Sequence, residues 1–386
     1  MRTSPYYDVV IAGAGIVGAS AAWHLHRLGL KVAIVDAVGP AAEASGASDG
    51  AVSVASKKPG VMARLASESL RYTFMLAKQG GPLHGVFHAR PAYVFGSGEA
   101  EFAAMDQLAD KLASLNGPVR VTSDSRADPT FGWGAGVERV LTLDGEGHML
   151  GHKAVQAYLD PAIDTYWPHP ILGVQATATD VTVQLDDREI RGQYLVAALG
   201  AATRKIFPGS PISLRAGQML VTDRGPSGAL PGALTAASYL MAKSESDPAL
   251  YGIPVVIDPL VTGQYLIGST RENHGNHLHN DLDTVLSLLQ RATAVWPALT
   301  ERRLIRVFTG VRAAVRDGLP MLGVMADSPR VIMATGFEGD GICLSSLIGR
   351  EVARLLHPNT TDAWLEQDLQ RLSPTRFAID FDRRYA

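Results

Sequence analysis

The sequence predicts an α/β fold, with one domain wound around a parallel sheet and a second domain carrying a second sheet. Three observations predict it. Near the start, Asp8-Val9-Val10-Ile11-Ala12 runs directly into Gly13-Ala14-Gly15-Ile16-Val17-Gly18, a strand entering a glycine turn and a helix. Near the end the same order returns: an apolar run over 330–334, the turn Thr335-Gly336-Phe337-Glu338-Gly339-Asp340-Gly341, and a helical pattern over 342–356. Between them, 215–222, 251–258 and 264–269 read as strands of a second sheet.

Taken in order, residues 15–28 are expected to form a helix, with Ile16, Val17, Ala21, Leu25 and Leu28 near helical spacing. Gly29 follows, and 31–35 is a short apolar strand closed by Asp36. Residues 39–60 form a loop rich in Gly, Ala and Ser, a length that is unusual without a function. Helices are expected over 61–79 and 99–114, with a strand around 92–95 between them. Residues 116–136 are turn-rich and weakly patterned. A helix is expected over 147–160, strands over 171–176 and 181–185, and a buried strand over 193–199 that runs into Gly200. The helical pattern of 281–295 stops at Trp296-Pro297, since proline lacks the N–H that would continue it. Residues 307–323 are punctuated by glycine.

The first segment is the dinucleotide-binding fingerprint of a Rossmann-type domain: strand, tight turn, helix, second strand, terminal acid. Gly13 permits the turn. Gly15 lets a pyrophosphate approach the free N–H groups at the helix N-terminus, and Gly18 lets helix and sheet pack closely. A carboxylate at Asp36 can accept both ribose hydroxyl hydrogens and disfavours a 2′-phosphate by repulsion.

Composition removes several classes of function. Acids and bases nearly cancel, 38 against 35, so net charge gives no reason to expect nucleic-acid binding. The single cysteine, Cys343, excludes an intrachain disulfide and an iron–sulfur cluster held by this chain's own thiolates. No uninterrupted apolar run of about twenty residues occurs, so no transmembrane segment is expected. No apolar targeting segment precedes the first strand, and a cytoplasmic protein is the expectation. His148 with His152, and His274 with His277 and His279, come without a further ligand set, so no metal site is expected.

The N-terminal fingerprint, the Gly-rich loop, Gly310-Val311-Arg312 with Asp317-Gly318-Leu319-Pro320, and the terminal glycine turn together resemble the D-amino-acid oxidase and glycine oxidase superfamily of FAD enzymes. The resemblance covers nearly the full length. Ser45-Gly46-Ala47-Ser48 and Ser56-Lys57-Lys58-Pro59-Gly60 look most like the beta subunits of opine oxidase, D-hydroxyproline dehydrogenase and hydrogen cyanide synthase. The resemblance implies a glutathione-reductase-like, Rossmann-type FAD-binding domain and a mixed-sheet substrate domain of D-amino-acid-oxidase type. The expected division is 1–80, 145–205 and 305–386 for the FAD-binding domain, with 81–144 and 206–304 for the substrate domain. The implied reaction oxidises the C–N bond of a secondary amino acid, imino acid or opine by hydride transfer to flavin N5. A beta-subunit type implies partner chains carrying an iron–sulfur centre and a second nucleotide-binding fold. The alternatives are a stand-alone glycine, sarcosine or D-amino-acid oxidase using oxygen, and a non-catalytic flavin-binding scaffold.

By the same resemblance Arg312 holds the substrate carboxylate; a guanidinium offers two parallel donors and stays charged. Ser45, Gly46, Ala47 and Ser48 correspond to the loop along the flavin and its pyrophosphate, and Gly13, Gly15, Ile16, Val17, Gly18 and Asp36 to the rest of the dinucleotide site. Gly200 matches the glycine after the internal strand, while Gly310, Gly336, Gly339, Gly341 and Ile342 are expected against the cofactor, the terminal turn passing the isoalloxazine. Asp49 stands where the family usually has asparagine, and Phe337, Glu338 and Asp340 where histidine is frequent. A tyrosine often closes such pockets; among Tyr239, Tyr251 and Tyr265, Tyr251 is favoured for standing at the start of a strand. Lys57 and Lys58 are either a solvated pair before a Pro-Gly turn or a cation for reduced flavin or substrate. Cys343 is expected to be a small buried packing residue, although some members attach the flavin through a cysteine.

Overall fold

The computed structural model describes residues 5–225, 230–244, 255–357 and 363–377. The chain opens with β1 (Tyr6–Ala12), α1 (Ile16–Arg27), β2 (Val32–Val35), β3 (Ala51–Val52), α2 (Val61–Leu76), β4 (His88–Gly96) and α3 (Gly98–Leu115). It continues through β5 (Arg120–Arg126), β6 (Arg139–His148), α4 (Gly151–Tyr158), β7 (Asp164–Tyr166), β8 (Gly173–Ala176), β9 (Val181–Gln184), β10 (Glu189–Ala197) and α5 (Thr203–Ile206). Then come β11 (Ile212–Thr222), β12 (Ala233–Ala236), α6 (Ala237–Ser244), β13 (Val256–Pro259), β14 (Tyr265–Gly268) and α7 (Leu282–Val295). The last elements are β15 (Leu304–Val315), β16 (Met321–Met325), β17 (Ser328–Thr335), α8 (Gly341–Leu356) and α9 (Ala363–Gln370).

Two sheets organise these elements. In the first, β17, β10, β1, β2 and β7 lie side by side and parallel, with β16 antiparallel beyond β17 and the β8–β9 hairpin antiparallel on β10. Val9, Val10 and Ile11 of β1 and all of β2 are buried, because both faces of this sheet are covered. On one face α8 packs against α1 and α2. The second sheet runs β15-β11-β14-β13-β12-β4-β6-β3, with β5 also paired to β6. It is mixed: β12 and β4 are parallel, and the other pairings are antiparallel. Among the described residues no helix is long and apolar enough to cross a membrane.

The structure departs from the expected elements where the apolar pattern is weak. The helix expected from 147 starts at Gly151, because residues up to His148 continue β6 with Leu141, Leu143 and His148 buried. β5 lies in the turn-rich stretch; almost all of its residues are exposed, so no alternation marks it. The glycine-punctuated stretch contains β15, which pairs with β11 along nearly its whole length. β15 therefore lies in the second sheet, and the chain returns to the first sheet at β16. The strand expected over 251–258 begins within the described residues as β13, and 251–254 lie outside them.

His24 gives this packing a pH dependence. It is buried on α1, with Nδ1 2.7 Å from the Ser20 carbonyl and Nε2 3.0 Å from the Tyr72 hydroxyl. Burial lowers its pKa from 6.5 to about 4, because an imidazolium there would lose its hydration. Between those two values the unfolded chain binds the proton and the folded chain does not. The stabilisation is full above the upper value and is lost as pH falls through the window, by about 3 kcal/mol. Denaturant titrations near neutrality and at the acid end should show this loss in the wild type and not in His24→Gln. Equal pH slopes for the two proteins would contradict it.

Candidate active site

A cleft runs past the carboxyl ends of the parallel strands, where β1, β2, β10 and β17 give way to Gly13, Asp36, Ala198 and Gly336. At its outer end the Asp36 carboxylate is fixed by backbone N–H groups. Oδ2 accepts from Ala14 at 2.8 Å, and Oδ1 accepts from Val38 and Gly39, each at 2.9 Å. Three of its roughly four acceptor positions are thus taken, leaving room for one ribose hydroxyl where two were expected. Gly13 has φ 108°, and a Cβ there would stand 2.4 Å from the Ala198 carbonyl oxygen, so only glycine lets the chain turn beside the end of β10. The Ser45 hydroxyl accepts the Ile16 N–H of α1 at 3.0 Å, standing over the helix N-terminus where an anion is favoured. Glycine turn, helix end and acid fit the pyrophosphate and adenosine of a dinucleotide.

The inner end of the cleft lies between the two sheets, and β15 supplies its cation. In the β11–β15 pairing Gly217 faces Gly310 and Arg215 faces Arg312. The Arg312 side chain folds back over Gly217, where a Cβ would stand 2.4 Å from Nη1. Nη1 donates to the carbonyls of Ala216 and Thr270 at 3.3 and 3.2 Å, and Nη2 donates to the Ser269 hydroxyl at 2.8 Å. All these acceptors are neutral. Among the described residues no carboxylate pairs with this guanidinium, which stands ready for one from outside. Tyr239, Met219, Ser48 and Asp49 complete the wall with Gly339 and Ile342. Asp49 is held in place because its Oδ1 accepts the Ala51 N–H at 3.1 Å.

The terminal turn carries two acids, each met by a base. Asp340 pairs with Lys57 at 3.1 Å, and both side chains are buried. Burial alone would lower the Lys57 pKa; the Asp340 carboxylate outweighs it and holds the ammonium above its ordinary value. Lys57 is therefore not half of a solvated pair, although Lys58 is exposed. Beside them Glu146 is buried and accepts the N–H groups of Val54 and Ala55 at 3.0 and 2.9 Å, with burial raising its pKa. Glu338 pairs with Arg215 at 2.8 Å and Arg271 at 2.6 Å. Cys343 is buried in α8, its thiol 3.5 Å from the Ser53 carbonyl.

Most of the residues singled out from the sequence meet along this cleft. Gly13, Gly15, Ile16, Val17, Asp36, Ser45, Gly200, Gly336 and Gly341 line its outer and middle length. Ala47, Ser48, Gly310, Arg312, Gly339 and Ile342 line the inner end. Gly18 and Gly46 act behind the wall: a Cβ on Gly18 would stand 1.9 Å from the Gly13 carbonyl, and one on Gly46 2.2 Å from that of Ala41. Tyr251 lies outside the described residues. Of its two companions, Tyr265 is buried in β14, and Tyr239 is the one on the inner wall. Gly217, Ser269 and Met219 carry no signal of their own in the sequence. The histidines separate: His148 is buried against the Asp49 carbonyl at 2.9 Å, while His152 is exposed. His274 and His279 come together with Glu272, but the two ring nitrogens of His274 already face the Asn276 N–H and the Glu272 carboxylate.

Known proteins are similar to this chain in sequence and fold. The hydrogen cyanide synthase subunit HcnC of Pseudomonas aeruginosa is 26% identical, over 92% of this chain and 93% of its own length. A subunit of the opine oxidase of Agrobacterium tumefaciens is 25% identical, over 81% of this chain and 84% of its own. The crystal structure of glycine oxidase from Geobacillus kaustophilus superposes with a TM-score of 0.83 at 20% identity, covering 97% of this chain and all of that one. Residues 8–355 match the DAO family, described as FAD dependent oxidoreductase. With the fingerprint, the paired sheets and the cleft between them, the chain belongs to the DAO family of FAD-dependent oxidoreductases.

Proposed function

We propose that this chain oxidises the C–N bond of a secondary amino acid, imino acid or opine, with the substrate carboxylate held by Arg312. The observation that carries the reading is a guanidinium at the inner end of the cleft whose acceptors are all neutral. Bound FAD supplies the hydride acceptor and two-electron sink, N5 of its ring. The chain's residues orient the substrate: Arg312 fixes the carboxylate, Ser269 and two carbonyls fix Arg312, and Tyr239 and Met219 wall the pocket. The substrate's C–N bond becomes C=N as its α-hydrogen leaves with the electron pair, and water then hydrolyses the imine. Relatives named as a hydrogen cyanide synthase subunit, an opine oxidase subunit and a glycine oxidase support the reading. It is tested by anaerobic titration of the FAD-loaded protein with a panel of N-substituted amino acids, followed as flavin bleaching. Bleaching by none of them, with FAD bound, overturns it and favours a scaffold.

Among the described residues lining the inner end there is no histidine or lysine, and its two carboxylates are engaged, Asp49 by the Ala51 N–H and Glu338 by Arg215 and Arg271, so the reading needs no side chain as general base. The rate of flavin reduction is expected to follow deprotonation of the substrate amine and to shift with its pKa. His274→Ala should leave that profile unchanged. A controlling pKa that ignored the substrate and vanished with one side-chain replacement would contradict this.

Gly217→Ala is expected to push the Arg312 guanidinium aside while leaving FAD bound. A displacement of about 1 Å at a positioning group costs up to about a hundredfold in rate. Steady-state kinetics beside flavin content checks it; unchanged kcat/KM would show that the guanidinium needs no such space.

We also propose that the chain works as the beta subunit of a heteromer whose partners carry the iron–sulfur centre and a second nucleotide-binding fold. Two relatives are named as subunits, and the one cysteine here is buried in packing. Purification under gentle conditions from the native cell should bring iron-containing partner chains. A solitary chain that turns over rapidly with oxygen would establish the stand-alone oxidase.

A further inference from the structure

Arg312 is aimed by three acceptors, the Ala216 and Thr270 carbonyls and the Ser269 hydroxyl, and all three lead back to Glu272. Glu272 lies between β14 and α7, two residues beyond Thr270. Its N–H donates to the Ala216 carbonyl at 3.0 Å, and its carbonyl accepts the Ala216 N–H at 2.9 Å. Its side chain ties the same segment to β11 a second time. Oε1 accepts the Thr270 hydroxyl and, at 2.9 Å, Nε2 of Gln218. The Thr270 hydroxyl in turn accepts the Gln218 N–H at 2.8 Å. Oε2 accepts from Nε2 of His274 at 2.8 Å, while the Asn276 N–H donates to Nδ1 of the same ring at 3.2 Å. Burial alone would raise the Glu272 pKa; the Thr270, Gln218 and His274 donors outweigh it and lower it, so the side chain stays ionised. Thr270 and Gln218 are buried, which makes a lost acceptor costly for them.

We propose that Glu272 is a positioning residue for substrate binding, holding the three acceptors of Arg312 in place and touching no substrate atom itself. This rests on the reading of Arg312 as the grip of the substrate carboxylate. A guanidinium fork matches a carboxylate in one plane and one direction, so a shift of its acceptors spoils the fit. Backbone pairing alone holds the segment loosely at this point, since the Thr270 N–H reaches the Gln218 carbonyl only at 3.4 Å. The carboxylate of Glu272 closes the gap by joining the Thr270 hydroxyl to the Gln218 amide. The other end of that amide accepts the Asp281 N–H at 2.8 Å, so Gln218 fastens the segment on both sides of the histidines.

The test reads two quantities on the FAD-loaded protein. One is calorimetric binding of methylthioacetate, a carboxylate with sulfur in place of the oxidisable nitrogen. The other is anaerobic flavin reduction by the panel member that bleaches the wild type fastest. Glu272→Ala is expected to weaken the probe about tenfold and to raise the saturation constant for reduction more than it lowers the limiting rate. Glu272→Gln keeps an oxygen for Thr270 and Gln218 and should recover most of the loss. Thr270→Val, which removes only the hydroxyl link, should reproduce the loss and stands in if Glu272→Ala fails to load FAD. In an Arg312→Leu background, Glu272→Ala should change the ratio of limiting rate to saturation constant by less than about twofold, because its effect runs through the guanidinium. Wild-type probe affinity in Glu272→Ala and Thr270→Val overturns the proposal, and so do equal losses in the two backgrounds. Equal probe binding by the wild type and Arg312→Leu overturns the grip and the proposal with it. A flavin bleached by no panel member, with the expected order of probe affinities, overturns C–N oxidation alone.

Discussion

Arg312→Leu is expected to lower kcat/KM for the amino-acid substrate by about a hundred- to a thousandfold while the protein still binds FAD. The guanidinium is half-buried and held by three neutral acceptors, and it meets no carboxylate of this chain among the described residues. Removing it leaves a substrate carboxylate desolvated and unpaired, a loss of about 2–5 kcal/mol. Each 1.4 kcal/mol is tenfold in rate. Arg312→Lys should restore only part, because an ammonium is a point charge and lacks the fork that matches a carboxylate. The anaerobic reductive half-reaction measures this without interference from reoxidation. Near-wild-type kinetics in the leucine variant would remove Arg312 from the site.

Asp340→Leu is expected to be the most destabilising single change near the cleft. The Lys57 and Asp340 side chains are only 3% and 8% exposed. Losing the carboxylate strands a buried ammonium, which typically costs about 3–5 kcal/mol. The lysine then escapes part of the penalty by losing its proton, since the main interaction that opposes burial at its ammonium is gone. The double variant Lys57→Met, Asp340→Leu removes both charges and should recover most of the loss, because apolar replacement of a whole buried pair is often neutral. Denaturant unfolding of the FAD-free proteins separates this from any effect on cofactor binding. A double variant no more stable than Asp340→Leu would show that the pair's surroundings, and not its charges, hold the turn.

The parallel sheet was legible because its strands are buried on both faces, so β1 and β17 stand out as apolar runs ending in glycine turns. The second sheet was less so. β15 contains Gly310 and is largely open to solvent at its start, which reads as a loop until β11 is placed beside it. Once paired, Arg215 lies opposite Arg312 and Gly217 opposite Gly310, but neither strand announces that register by itself. Arg312 could be placed through the resemblance alone. Its support by Ser269 and its space over Gly217 could not, since those contacts join strands far apart in the chain. The acids of the terminal turn were ambiguous for the same reason. Nothing near Asp340 or Glu338 in the sequence announces Lys57, Arg215 or Arg271. Tyr239 was one of three candidate tyrosines, and only its place on α6 puts it on the cavity wall.

The measurement that tests the central claim most directly is single-turnover anaerobic mixing of the FAD-loaded wild type with an N-substituted amino acid, unlabelled or deuterated at the carbon beside the carboxylate. Oxidation of that carbon with hydride leaving to the flavin predicts bleaching that saturates with substrate and slows on deuteration. Equal rates for both isotopic forms at saturating substrate, where binding no longer limits the observed reduction, would contradict it. So would a fully loaded flavin that stays oxidised with every member of the panel.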